Sequence, residues 1–453
     1  MEWTKVRALY EALPFPARDA AAEKATALPV SRTDILGKLN HHGFAGRRDF
    51  GEGFRALVAG CGTGDAAIFL AAQLRDADAL VVGLDLSAAS LAIARQRAMA
   101  YGLERRIRWV HGSVFDLPGM GLGRFDYISC LGVLHHLADP DAGLRALTEA
   151  LADDGALALM VYGRYGRLDI YAVQDLMRAI NRDAADLKEE LHRCKAALRG
   201  LSPAHPLLRG RSRQQVERLI GNEANLADTF LHPQDRAYTV PELHAMLAGA
   251  GLSALNFTNF GRTVRLEYAP EIYVADAALK RELAARPLHE RQAIAELLHG
   301  HMFVHTVYAA RAGRAPANFG DPDMVPFFLT APGAQAAQRL RRERTLEVTF
   351  SSGVTFAIEP SAATLACLAR VDGVRPLRQL WQAAAAELGE DAQAVAEQAA
   401  PDLDRLNALN WLCLRHVSCP PPPALAYRYR LDALVSPGAS EVSLSGTRSI
   451  PGT

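Results

Sequence analysis

The sequence predicts an α/β fold, a parallel sheet covered by helices with a ligand crevice at the carboxyl ends of its strands. Three observations predict it. Residues 55–64, Arg-Ala-Leu-Val-Ala-Gly-Cys-Gly-Thr-Gly, read as a short apolar strand running into a glycine-rich turn. Asp65 to Leu74 then carries apolar residues at helical spacing, so the turn opens a helix whose N-terminus faces a ligand. A second apolar run, Ala79 to Leu84, ends in Asp85, 21 residues beyond Gly64. That is where the α/β nucleotide-binding scheme places an acid on ribose hydroxyls. The alternative for Asp85 is an N-terminal cap on the helix beginning near Ser87.

Spacing and charge bear on which nucleoside is bound. Gly60, Gly62 and Gly64 let the backbone turn sharply and approach a ligand where a Cβ would intrude. A dinucleotide fingerprint would place its third small residue at 65, but this chain has Asp65 there. A carboxylate in the first helical turn suits the helix dipole and repels a pyrophosphate resting on that terminus. S-adenosylmethionine has no phosphate and carries a cationic sulfonium.

The G-x-G-x-G spacing resembles the first motif of class I S-adenosylmethionine-dependent methyltransferases, and the following segments resemble that family in order. Ile107 to His111 reads as a third strand, followed by Gly112 to Pro118, similar to the family's segment bordering adenine. Phe125 to Cys130 and Leu131-Gly132-Val133-Leu134-His135-His136-Leu137 resemble its fourth strand and turn. A helix over Asp139 to Leu151, a fifth strand over Gly155 to Tyr162, and Thr239 to Leu252 as helix and glycine stop follow. His301 to Arg311 supplies a final strand of the kind that inserts antiparallel at the sheet edge.

The resemblance implies a Rossmann-like class I methyltransferase sheet with helical insertions, and S-adenosyl-L-methionine as cofactor. It implies that Gly60, Cys61, Gly62, Thr63 and Gly64 surround the methionine and ribose. Asp85 would hold the ribose hydroxyls, Leu86 and Val114 would flank adenine, and Leu131 would close the methionine side. Ser113 and, in a secondary role, Asp116 would lie near the adenine. Two departures stand out: the family usually has an acid where this chain has Val58, and often another where it has Ser113. Contacts to the methionine amine and the adenine amino group must then come from elsewhere, such as backbone carbonyls or water.

Because the sulfonium already activates the methyl, an enzyme need mainly align an acceptor and, where necessary, deprotonate it. The catalytic candidates are His135, beside His136 after the fourth strand, Tyr162 at the end of the fifth, and His232, with Asp235 as its orienting acid. For the last pair the plainer reading is a turn in which Asp235 pairs with Arg236 and His232 anchors a loop. Tyr165 could stack on an acceptor, and Arg167 could clamp a carboxylate or phosphate. The expected activity is methyl transfer to an oxygen or nitrogen of an unidentified small molecule or protein. Two other classes stand beside it: a catalytically weak cofactor-binding scaffold, and an NAD-dependent oxidoreductase, which Asp65 and the histidine pair disfavour.

Composition narrows the partners. The 453 residues are 49% hydrophobic, and 50 Lys plus Arg balance 50 Asp plus Glu, so no global field draws the chain to nucleic acid or anionic membrane. No apolar run has membrane-span length, and six cysteines without a C-x-x-C pair suit a reducing cytoplasm. Cys413, His416 and Cys419 offer three soft ligands with no fourth nearby, so no metal is expected.

Along the chain, residues 1–39 read as an N-terminal lid over the crevice or a cap on the outer surface. Residues 40–312 form the methyltransferase domain, with helical insertions at 163–239 and 261–300. The first reads as one long helix over Leu168 to Leu198 followed by a break, and rises over the crevice because it follows a strand end. From Arg164 to Arg218 it has twelve Lys or Arg against seven Asp or Glu, including Arg209, Arg211 and Arg213, a solvated face or a route for an acidic or RNA substrate. Residues 313–344 read as a linker, and 345–433 as a small α+β, winged-helix-like module able to meet a protein partner. Residues 434–453, rich in Ser, Gly and Pro, read as a disordered tail.

Overall fold

The computed structural model describes residues 2–25, 28, 30–209, 212–258, 264–329, 331–350 and 352–422. Helices α1 (Glu2–Ala12) and α2 (Leu36–Gly43) precede the sheet. Then β1 (Phe54–Ala59), α3 (Asp65–Gln73), β2 (Ala79–Asp85), α4 (Ala88–Ala100) and β3 (Ile107–His111) follow in alternation. Strand β4 (Phe125–Leu131), α5 (Pro140–Ala150) and β5 (Leu151–Tyr162) complete the parallel part. Successive side chains of the strands divide between two cores, as the period of two requires. Leu57, Ala59, Val82, Leu84 and Ile128 pack on one face, and Ala56, Val58, Val81 and Tyr127 on the other.

The first insertion is helical, but the single helix expected over 168–198 is two, α6 (Leu168–Ile180) and α7 (Leu187–Gly200). Asp186 makes the break, because its side chain accepts from Glu189 N at 2.8 Å and starts a new helix. Arg193 bridges the turn by donating to Ile180 O and Asp183, both at 2.6 Å. Then come α8 (Arg213–Ile220), α9 (Glu223–Leu226) and a π-helical turn, Ala227–Leu231. These helices enclose their own core of Ile170, Val173, Met177, Leu198 and Phe230, into which Leu9 of α1 inserts.

Helix α10 (Val240–Gly249) is capped reciprocally by Thr239 and Glu242 and leads into β6 (Leu252–Thr258). The second insertion supplies α11 (Ala277–Ala284) and α12 (Leu288–His299) before β7 (Val304–Arg311). The sheet order is β3-β2-β1-β4-β5-β7-β6. The last strand was expected at the sheet edge. Instead β7 lies between β5 and β6, antiparallel to both. Burial fits the order: β7 is buried from His305 through Ala310, whereas β6 leaves Ser253 exposed and Ala254 and Asn256 half-buried, as an edge strand does.

The stretch 313–344, expected as a linker, holds β8 (Met324–Phe328) and α13 (Ala331–Glu343). Its Pro and Asp residues mask an apolar Met-Val-Pro-Phe-Phe run too short to show periodicity. Beyond it lie a hairpin, β9 (Leu346–Thr349) with β10 (Thr355–Ile358), and three helices, α14 (Ala362–Leu368), α15 (Leu377–Leu388) and α16 (Ala392–Ala408). A further strand, β11 (Leu412–His416), pairs antiparallel with β8, so a second ribbon joins the module to the stretch expected as a linker. Cys413 is a buried residue of this ribbon. The ribbon also lies against α2, where Leu414 N donates to His41 Nδ1 at 3.0 Å and His416 N to Gly46 O at 2.7 Å. Residues 423–453, including the tail expected to be disordered, lie outside the described residues.

Candidate active site

The turn after β1 is held to β2 by hydrogen bonds that the glycines make possible. Gly60, Gly62 and Gly64 have φ of 68°, 52° and 98°, in the left-handed region that favours glycine. Gly60 N and Cys61 N donate to Leu84 O at 2.8 and 3.0 Å. The Asp85 carboxylate accepts from Gly62 N at 2.7 Å and from Ser87 N at 2.8 Å. Burial pushes its carboxyl pKa up, against those two backbone donors, which lower it. Each oxygen keeps lone pairs for a further donor such as a hydroxyl. The helix cap is Ser87, which accepts from Ser90 N at 3.0 Å, so the capping alternative for Asp85 does not hold.

The other predicted wall residues gather nearby. Leu86 and Leu131 are half-buried at the ends of β2 and β4, and Cys61, Thr63 and Val114 are buried. Ser113 and Asp116 cap each other across a short 3-10 turn: Phe115 N donates to Ser113 Oγ at 3.3 Å, and Ser113 N to Asp116 Oδ2 at 3.1 Å. Their side chains thus shape the loop after β3.

Asp65 differs in environment from the expectation. Its carboxylate pairs with Arg97 at 2.6 Å and with Arg18 at 2.5 Å. Burial alone would raise its pKa, and the two guanidinium groups hold it below the usual carboxylate value. With that charge compensated, Asp65 does not repel a pyrophosphate, and the argument against a dinucleotide on that ground falls.

Residues 10–18 run across this turn, and so lie on the crevice side of the core. Thr63 donates from N to Phe15 O at 3.1 Å and from Oγ1 to Pro16 O at 2.8 Å. Ser87 Oγ donates to Tyr10 O at 3.0 Å, and the Glu11 carboxylate accepts Ala88 N and Ala89 N at the start of α4. A Cβ on Gly62 would stand 2.3 Å from Phe15 O. Gly62→Ala is therefore expected to lift this strap. The residue bears about 1–2 kcal/mol of left-handed strain before any clash, and limited proteolysis within residues 10–18 should become several-fold faster, against an unchanged rate if the strap is indifferent to the turn.

Above the ends of β4 and β5, under the first insertion, lies a buried cluster of rings and charges. His135 stacks on Tyr162 with ring centroids 3.8 Å apart, and Arg167 lies 3.5 Å from the centroid of the same tyrosine. His136 stacks on His232 at 3.7 Å and donates from Nδ1 to Gln234 O at 2.8 Å. The return segment is tied in by Arg236 N to His135 O at 3.0 Å and Tyr238 N to Tyr162 O at 2.8 Å.

The expected pairing of His232 with Asp235 is absent, and so is the alternative of Asp235 with Arg236. Asp235 instead takes Arg167 at 2.6 Å, Gln174 at 2.8 Å and Tyr171 at 3.1 Å. Arg167 is thereby committed to a protein carboxylate rather than open to an anionic acceptor. His232 Nδ1 accepts from Gln234 N at 3.0 Å, so the neutral ring carries its proton on Nε2, which has no partner among the described residues. Both nitrogens of the fully buried His135 also lack partners among them. Burial pushes the pKa of His135 and His232 well down.

Two residues of the cluster carried no signal as site residues in the sequence. Tyr10 Oη donates to Asp228 Oδ1 at 2.8 Å, and Tyr162 Oη to Asp228 Oδ2 at 3.3 Å. Asp228 lies in the π-helical turn within Ala-Asp-Thr-Phe-Leu, with no motif around it, and only the fold brings it to Tyr10. Arg209 is exposed, while Arg211 and the side chain of Arg213 lie outside the described residues.

The methyltransferase-domain family matches residues 57–157. An uncharacterized protein of Synechococcus is 34% identical over 215 residues, 46% of this chain and 49% of its own. The ubiquinone biosynthesis O-methyltransferase of Salmonella paratyphi A is 26% identical over 140 residues, 30% of this chain and 55% of its own. The chain thus spans about half the length of the curated relatives it matches. The structure of PKMT2 from Rickettsia typhi in complex with AdoHcy superposes with a TM-score of 0.56 at 14% identity, over 85% of this chain and 76% of that one. The seven-stranded Rossmann-like sheet with its antiparallel β7 is the fold the two proteins share. Residues 57–157 thus match a methyltransferase domain, set in a sheet whose fold the PKMT2 structure shares.

Proposed function

We propose that the protein transfers a methyl group from S-adenosylmethionine to an oxygen or nitrogen of a small-molecule or protein acceptor. The observation that carries this reading is the Asp85 carboxylate. It joins the glycine turn after β1 to the loop after β2 and keeps acceptor capacity for a sugar hydroxyl at the mouth of the sheet. The group fits chemically, since the carboxylates of Asp85 and Asp228 line a site that favours a cationic nucleoside.

When bound, the cofactor supplies a methyl already activated for displacement. The chain's residues then hold, orient and shield. The strap of residues 10–18 covers the glycine turn, and the first insertion, with Tyr162, His135 and Arg167 stacked beneath it, keeps bulk water from the ends of β4 and β5. Among the three catalytic candidates, His135 keeps one ring nitrogen able to take an acceptor's proton. Tyr162 has its hydroxyl turned to Asp228, and His232 presents Nε2–H as a donor. His232→Ala is thus expected to keep turnover within about tenfold of wild type, where loss of a general base costs about 100- to 10,000-fold. Initial rates of methyl transfer decide between the two.

Radiolabelled methyl transfer into a cell extract, fractionated into protein, RNA and small molecules, tests the reading. Label in a single fraction identifies the acceptor class, and no label in any fraction, with S-adenosylhomocysteine still bound, favours a non-catalytic scaffold. Among the described residues no helix is long and apolar enough to cross a membrane. All six cysteines are reduced, in keeping with the cytoplasmic location we propose. The C-terminal module remains the candidate surface for a protein partner.

A further inference from the structure

Among the described residues the crevice holds a buried carboxylate without a counter-charge, Asp228, while the position before the first glycine has no acid, being Val58. The neighbouring acids are all occupied. Asp65 pairs with Arg18 and Arg97, Glu11 takes two amides of α4, and Asp85 takes two amides of its own loops. Asp116 takes Ser113 N, and Asp235 pairs with Arg167. Asp228, 7% exposed, is held by the hydroxyls of Tyr10 and Tyr162, one on each oxygen, and no cation pairs with it among the described residues.

Asp228 accepts on both oxygens, and a buried carboxylate is costly unless a cation meets it. The surroundings suit a cation. The rings of Tyr10 and His232 lie 5.7 Å apart beside the carboxylate, and aromatic faces attract positive charge. The site also borders the nucleoside crevice, because Tyr10 accepts from Ser87 at the end of β2 through its carbonyl while its hydroxyl reaches Asp228. The single π-helical turn that carries Asp228 is an irregularity frequent at functional sites.

Resting on the methyltransferase reading, we propose that Asp228 binds the α-ammonium of the methionine part of the cofactor, in place of the acid absent at Val58. The sulfonium is the poorer partner. Its charge disappears in the reaction, so a carboxylate against it would favour the ground state over the transition state. The ammonium keeps its charge throughout, in donor and product alike.

Isothermal titration of the full-length protein tests this with S-adenosylhomocysteine and with an analogue lacking only the α-amino group. Wild type is expected to bind the analogue about tenfold or more weakly than S-adenosylhomocysteine. Asp228→Asn, which keeps the shape and one acceptor for the tyrosines, should bind both ligands alike, at the wild-type affinity for the analogue. Wild-type-like binding of S-adenosylhomocysteine by the variant overturns the proposal, as does an equal loss for both ligands, which marks a structural role. If the variant does not fold, the wild-type ratio alone decides, and equal binding of the two ligands overturns the assignment. Wild type that binds neither ligand removes the methyltransferase reading itself, an outcome distinct from the others.

Discussion

Replacing Asp85 by alanine is expected to lower the affinity for S-adenosylhomocysteine by about 100-fold, about 2.7 kcal/mol. The carboxylate has two tasks. It accepts Gly62 N and Ser87 N, and without it those amides lose their acceptor at a cost of about 1–3 kcal/mol each where water does not enter. The glycine turn and the loop after β2 are then no longer tied together, and the acceptor for a sugar hydroxyl is gone as well. Asp85→Asn separates the tasks, since its amide nitrogen must face one of two backbone donors and is expected to bind at least tenfold more weakly than wild type. Calorimetric titration measures both variants. An affinity for Asp85→Ala within threefold of wild type would remove the residue from the nucleoside site.

The largest stability effect is expected at Arg97. This side chain is 1% exposed. It donates from Nε to Glu23 at 2.5 Å and from Nη1 to Thr63 O and Asp65, both at 2.6 Å. It therefore joins the N-terminal segment, the glycine turn and α4 at one buried point. Arg97→Met preserves much of the apolar volume but leaves Glu23 and Asp65 without that charge, and loss of one partner from a buried pair costs about 3–5 kcal/mol. Urea unfolding should show that loss, and the double variant Arg97→Met with Glu23→Gln should recover part of it. A change below 1 kcal/mol in the single variant would mean that the network is replaceable by solvent.

What was legible in the sequence follows the range of the interactions. The strand and turn at 55–64, Asp85, and the order of elements through Tyr162 were readable because their signals are local: apolar runs, glycine spacing and an acid at a set distance. The position of β7 inside the sheet was not, since pairing order depends on burial of both faces, which shows only once β6 is compared with it. The break at Asp186 was hidden because Ile180, Leu187 and Leu191 continue a helical spacing across it by coincidence. His135 and Tyr162 were singled out as candidates from their place at strand ends, and the fold brings their rings together. The partners of Asp235 were not, because Arg167 lies 68 positions away and sequence proximity favoured His232 and Arg236. Asp228 meets Tyr10 across 218 positions, a separation over which no pattern in a single chain gives warning.

The ribbon formed by β8 and β11 bears on where this polypeptide can be divided. Residue 414 donates to residue 41 across 373 positions, and α2 is buried along its whole length. Ending the chain after the sheet, near Arg314, would strip His41 and Gly46 of their backbone donors and bare the side of α2 that carries Gly37 against Phe327. A trimmed catalytic half is therefore expected to be a poor folder, and the terminal module acts as a structural cover of the sheet domain rather than a detachable passenger.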